Sequence, residues 1–258
     1  ASNHKLYAHW TANKYTVTFA KNDGTSNNAG TSTVTFASAY GTLLTASRTG
    51  YTFAGWFTAA SGGTQITSTT KVATASNHKL YAHWTANKYT VTFAKNDGTS
   101  NNAGTSTVTF ASTYGTLPTT TRTGYTFQGW FTTASAGTKV LNTTKVVTAS
   151  NHSLYAHWTA NKYTVTFVKN DGTSNNAGTN TVTFDSTYGT LPIASRSGYI
   201  FQGWFTAASG GTKISNTTKV TTASNHNLYA QWKSNPPPAP DPCQCYGRYT
   251  CCNCASCY

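Results

Sequence analysis

The sequence predicts a mainly β protein built from tandem copies of one small module. Three observations predict it. Thr supplies 53 of the 258 residues, Val, Tyr, Phe and Trp are plentiful, and Glu and Met are absent, a balance that favours strands over helices. Apolar side chains recur with period two, as in Tyr15-Thr16-Val17-Thr18-Phe19, which is the pattern of a half-buried strand. The string Lys14–Phe19 returns at Lys88–Phe93 and at Lys162–Phe167, a period of 74 residues, and a fixed period of that kind marks an array of modules.

The repeat sets the domain boundaries. Units 14–87 and 88–161 are identical at 61 of 74 positions, and a third unit spans 162–233. Residues 1–13 read as the tail of a preceding repeat, because Ala1–Trp10 restates Ala75–Trp84 without change. The chain therefore reads as a window on a longer protein. A Pro-rich linker occupies 234–242 and a Cys-rich tail 243–258.

Within a unit each element has a local cause. Tyr15–Phe19 and Thr33–Phe36 alternate apolar and Thr positions, and Asn22–Gly30 between them is turn chemistry, so the pair predicts a hairpin with a long polar tip. Tyr51 and Phe53 are expected to point inward, and Gly55 permits a bulge before Trp56. Ser61-Gly62-Gly63-Thr64 is a second turn. Leu80, Ala82 and Trp84 share one face of the closing strand, and His83 points with Tyr81 to the other. Only Thr85-Ala86-Asn87 joins that strand to the next unit, so neighbours are expected at a fairly fixed angle, forming an elongated rod. The repeat core is assigned to Trp56, Trp84, Trp130, Trp158, Trp204 and Trp232. Large buried aromatics contribute about 1.5–3 kcal/mol each, which makes a core feasible in so small a module.

Composition removes several function classes. Charged residues are 9% and aromatic residues 14% of the chain, the reverse of a disordered sequence. No apolar run approaches the ~18–20 residues of a membrane helix. The net charge of +13 comes from only five acids against 18 singly placed bases, which argues against nucleic acid and fits diffuse attraction to anionic wall polymers or glycans.

Thr49–Phe57 followed by Leu80–Trp84 resembles the Listeria–Bacteroides repeat family, the internalin-B B-repeat-like surface repeats. The match recurs as Gly124–Phe131 with Leu154–Trp158, and as Gly198–Phe205 with Leu228–Trp232. The resemblance covers residues 1 to about 233. It implies secreted or surface-attached bacterial proteins, tandem β-grasp-like (ubiquitin-like) modules, and adhesive, spacing or structural roles. The segment Ala37–Arg48 is short and Thr-rich, so the helix of such a fold is expected to be reduced or absent.

Catalytic chemistry is hard to assemble from these residues. Each unit offers one Asp in an Asn-Asp-Gly turn (Asp23, Asp97, Asp171), scattered Lys and two His positions. General acid–base work needs two positioned titratable groups, and calcium needs clustered oxygen ligands. His78, His83 and their repeats read as exposed or cross-strand side chains rather than metal ligands, and no cofactor is called for. The Thr-x-Thr pairs read as a solvent face. All six Cys (Cys243, Cys245, Cys251, Cys252, Cys254 and Cys257) lie in the tail and none in the repeats. They read as disulfide staples or crosslinks, with a thiolate metal cluster as the alternative.

The whole reads as a non-catalytic extracellular structural and adhesive repeat protein, self-associating into a filament or matrix. The alternative is an array of carbohydrate or wall-polymer binding modules, in which exposed aromatic rings stack on sugars.

Overall fold

The computed structural model of the chain describes residues 2–236. The described residues fall into two compact units. The first holds repeat 1 and most of repeat 2, through His157; the second holds Thr121–Phe127 and runs from Trp158 through repeat 3. No helix is present among the described residues.

Repeat 1 shows the module. Its strands are β1 (Lys14–Ala20), β2 (Asn28–Thr35), β3 (Tyr51–Phe57), β4 (Gln65–Ile66) and β5 (His78–Ala86). They form one sheet in the order β2-β1-β5-β3-β4. The central pair, β1 and β5, is parallel, with Val17 beside His78 and Phe19 beside Leu80. The other pairs are antiparallel. The same order recurs in repeat 2 with β6 (Lys88–Ala94), β7 (Asn102–Thr109), β8 (Tyr125–Phe131), β9 (Lys139–Val140) and β10 (His152–Ala160). Repeat 3 repeats it with β11 (Lys162–Val168), β12 (Asn176–Thr183), β13 (Tyr199–Phe205), β14 (Lys213–Ile214) and β15 (His226–Ser234).

The period-two reading gives the core face directly. Val17 and Phe19 of β1, Val34 of β2, and Leu80 and Ala82 of β5 are buried together with Trp56, Ile66 and Val72. The Thr positions between them stay on the outer face, where backbone pairing and a β-branched side chain are enough to hold the strand. In place of a helix, the segment after β2 crosses the core as irregular chain. It is anchored by backbone bonds from Ala37 N to Val72 O (2.9 Å) and from Tyr40 N to Thr70 O (2.9 Å). Tyr40, Leu43, Leu44 and Ala46 in that segment pack on the core. A run without helical periodicity thus covers the sheet with side chains alone.

Gly55 acts as the sequence indicates. The β3–β5 register slips between Phe53 and Gly55, and Gly55 has φ 126°, a conformation strained for any side chain. The extra residue changes the alternation. Phe53 and Trp56, three positions apart, then meet edge to face at 5.3 Å, and Phe19 meets Trp56 at 4.8 Å.

Two expectations change in detail. Tyr51 does not enter its own core; its ring packs edge to face on Phe110 of the next repeat at 5.5 Å. The joint is also shorter than three residues, because β5 continues to Ala86 and β6 starts at Lys88. Asn87 alone connects them and is fully used. Its N–H donates to Gly50 O (2.9 Å), its carbonyl accepts from Phe110 N (2.9 Å), and its side-chain oxygen accepts from Thr52 Oγ1 (2.6 Å). The second joint repeats this around Asn161, with Gly124 O, Phe184 N and Thr126 Oγ1.

Residues 2–10 have no strand, with Leu6 97% and Trp10 91% exposed, whereas the identical 76–84 form most of β5. A strand of this composition exists only where neighbours accept its ladder.

Candidate functional site

The core tryptophans divide into two kinds. Trp56, Trp130 and Trp204 are each 1% exposed. Their indole N–H groups donate to Leu44 O (2.6 Å), Pro118 O (2.7 Å) and Pro192 O (2.7 Å). Trp84, Trp158 and Trp232 are half-buried. Trp84 and Trp232 flank their cores and donate to Lys21 O and Lys169 O, both at 2.7 Å. These bonds fix the rings at the module edge with one flank toward solvent.

Trp84 borders a cleft of about 310 Å³ at the joint end of repeat 1. Arg48, Tyr51, Asn22, Ser61 and His83 contribute to its lining. The guanidinium of Arg48 lies 4.0 Å over the Tyr51 ring, an attraction of cation for the ring quadrupole. Asn22 has φ 50°, and its amide donates to Ala60 O (2.8 Å) and Ala82 O (3.0 Å), tying the hairpin tip to the far turn. His83 stacks on Phe57 at 3.9 Å and donates from Nε2 to Ala59 O at 3.0 Å. A carbonyl oxygen only accepts, so Nε2 carries a proton here. In repeat 3, Gln231 stands in the His place and donates to Ala207 O (3.2 Å) and Gly210 O (2.6 Å). The amide thus reproduces the imidazole N–H donor to the turn.

The other histidine of each repeat is also held. Tyr40, Tyr114 and Tyr188 donate their hydroxyls to Nε2 of His78 (2.8 Å), His152 (2.7 Å) and His226 (2.8 Å). The opposite ring nitrogens donate to Ser76 O, Ser150 O and Ser224 O. Burial pushes the three phenols above their ordinary range, which keeps them as donors. No group of three or more His, Cys, Asp or Glu able to hold a metal occurs among the described residues.

The turn aspartates sit at the hairpin tips. Asp23 Oδ1 accepts from Thr25 Oγ1 (2.6 Å) and Thr25 N (3.0 Å), and those bonds hold its carboxyl below the usual carboxylate range. Asp97 and Asp171 repeat this with Thr99 and Thr173. The six tail cysteines lie outside the described residues.

Asp185 was not singled out by the sequence reading. It is the one acid of the repeats outside the Asn-Asp-Gly turns, standing where repeats 1 and 2 have Ala37 and Ala111. It sits at the second joint. Tyr125 donates its hydroxyl to Asp185 Oδ2 at 3.0 Å, and Lys219 Nζ lies 3.4 Å from Oδ1. The Tyr125 bond, then Lys219, hold the carboxyl below its ordinary range, with the nearby Arg122 charge adding to the effect. Its departure from the repeat consensus was the available signal.

The Listeria-Bacteroides repeat domain matches residues 15–83, 89–157 and 163–231, one match on each sheet. The chain belongs to the Listeria-Bacteroides repeat family. The chain is similar to internalin H of Listeria monocytogenes, at 40% identity over 121 residues, which is 47% of this chain and 21% of that protein. Two proteins of Evansella cellulosilytica named as membrane proteins, one of them Gly-rich, are each 30% identical to it. They match 89% and 91% of this chain, which covers 34% and 27% of their lengths. The chain thus spans about a fifth to a third of the length of these relatives. No helix among its described residues is long and apolar enough to cross a membrane.

Proposed function

We propose that this chain is a non-catalytic, load-bearing and adhesive segment of an extracellular bacterial surface protein. Its relatives, an internalin and two proteins named as membrane proteins, support the location. The strand order β2-β1-β5-β3-β4 with a parallel central pair supports the grasp-like reading of each module, its helix replaced by irregular chain.

The observation that carries the mechanical reading is the β1–β5 ladder. Tension along the chain enters a module at Lys14 and leaves at Ala86, at opposite ends of two adjacent parallel strands. Such a pull loads all the ladder bonds together in shear, whereas a peel breaks them one at a time. Each module's first and last strands are the ones paired together, as a segment under tension requires.

Single-molecule stretching from the chain ends tests this. Three separate unfolding events are expected, each releasing roughly 250 Å of chain at about 3.4 Å per residue. Smooth extension without force peaks would overturn the mechanical reading.

The tail is assigned to stapling or crosslinking of these segments by Cys243, Cys245, Cys251, Cys252, Cys254 and Cys257, supported by their confinement to 15 residues after a Pro-rich segment. Intact mass before and after reduction, with alkylation at each stage, decides it. Larger species that collapse on reduction support crosslinking. Freely alkylated thiols with bound metal would refute it.

A further inference from the structure

The second joint shows what chemistry its corner accepts. Arg122 lies 3.8 Å over the Tyr125 ring; Tyr125 donates to the carboxylate of Asp185, Lys219 pairs with it, and the Arg122 charge adds to the attraction. The first joint has the same construction. Arg48 lies over Tyr51 at 4.0 Å, and Tyr51 meets Phe110 at 5.5 Å and 82°, against 5.6 Å and 79° for Tyr125 and Phe184. Lys145 stands one repeat before Lys219, and both pair with the strand-like bridge at the corresponding residue, Thr113 or Thr187. The difference is Ala111, which brings no carboxylate. Its φ of 62° matches the 63° of Asp185, so the backbone already takes the shape that Asp tolerates better than Ala.

We propose that the Arg48–Tyr51–Lys145 corner of the first joint binds the carboxylate of an external uronic-acid polysaccharide. The proposal rests on the adhesive reading above and names its ligand. A cation over a ring beside a phenol O–H is suited to a carboxylate, and the same side chains already hold one in this chain. The 310 Å³ cleft that shares Arg48 and Tyr51 favours a sugar over an acidic peptide. Its lining includes Asn22, Ser61, His83 and Trp84, the mixture of polar and aromatic residues that a hydroxylated ring needs. The net charge of +13 draws polyanions to it.

The test counts bound trigalacturonate per full-length chain by equilibrium dialysis at low salt. Ala111→Asp supplies an internal carboxylate and is expected to lower the number bound by one, with Arg48 left in place and the fold intact by circular dichroism. Arg48→Gln is expected to do the same. Asp185→Ala opens the second corner and is expected to raise the number by one, whereas Arg122→Gln leaves it unchanged. Unchanged occupancy in both Ala111→Asp and Asp185→Ala would overturn the proposal. Equal binding of the methyl-esterified trisaccharide would overturn the carboxylate assignment, and equal binding of an oligoglutamate would overturn the glycan. Stretching peaks that persist without trigalacturonate binding would leave the load-bearing reading standing and remove only this one.

Discussion

Gly50, Gly124 and Gly198 occupy the same place in the three repeats, with φ of 80°, 78° and 75°, but they differ in surroundings. A Cβ on Gly50 or Gly124 would run into the ring of Phe110 or Phe184, whereas one on Gly198 would meet nothing within 4 Å. Replacing any of them with Ala incurs the left-handed backbone cost of about 1–2 kcal/mol. Gly50→Ala must in addition displace Phe110 from Tyr51. That forfeits an aromatic pair worth about 0.5–1.5 kcal/mol beyond its burial. The expected totals are therefore about 1.5–3.5 kcal/mol for Gly50→Ala and about 1–2 kcal/mol for Gly198→Ala. Differential scanning calorimetry reads the difference as an extra fall of at least about 2 °C in the affected transition, since about 0.5–1.5 kcal/mol separates the two variants and 1 kcal/mol shifts a module of this size by about 4–8 °C. Adding Phe110→Ala to Gly50→Ala should cost less than the sum of the two, because the overlap is gone. Equal shifts for Gly50→Ala and Gly198→Ala would refute the aromatic clasp as a coupling between modules.

Three other outcomes follow from the geometry. His83→Gln should be nearly neutral by thermal melting, since Gln231 already serves in repeat 3, whereas His83→Ala should cost about 1–2 kcal/mol through the lost bond to Ala59 O and the lost Phe57 stack. Trp56→Ala should cost about 3–5 kcal/mol and Trp56→Phe about 1–3 kcal/mol, the latter from the Leu44 carbonyl left without its donor, both read by denaturant unfolding. The native carboxyls of Asp23, Asp97 and Asp171 are depressed below their ordinary value of 3.8 by their Thr donors. Their contribution is thus present above about pH 4 and lost as pH falls through the lower native values; a triple Asp→Asn variant should flatten the acid limb of the melting temperature profile.

Much of the module was legible because a half-buried strand writes its face into the sequence. Val17, Phe19, Leu80 and Ala82 were assigned to one side by alternation, and that side is buried. Gly55 before Trp56 signalled the bulge. What remained hidden is non-local. Alternation says that β1 and β5 are strands but not that they pair in parallel, because the partner lies some 60 residues away. The two-residue β4 has no period to read; Ile66 is buried because it pairs with Trp56. Tyr51 follows the inward pattern, and only the neighbouring repeat's Phe110 explains where its ring goes. The Arg48 corner was hidden for the same reason, since its members come from two repeats and its chemistry shows only through Asp185.

The central claim is that each module resists tension because its terminal strands are sheared as a parallel pair. The most direct measurement compares two pulling directions on repeat 1 within the full chain. Handles at Asn13 and Asn87 load the β1–β5 ladder in shear, while handles at Asn13 and Ser76 pull both strands from the same end and peel it. The account predicts a several-fold higher unfolding force in the first geometry at equal loading rate. Equal forces in the two directions would contradict it.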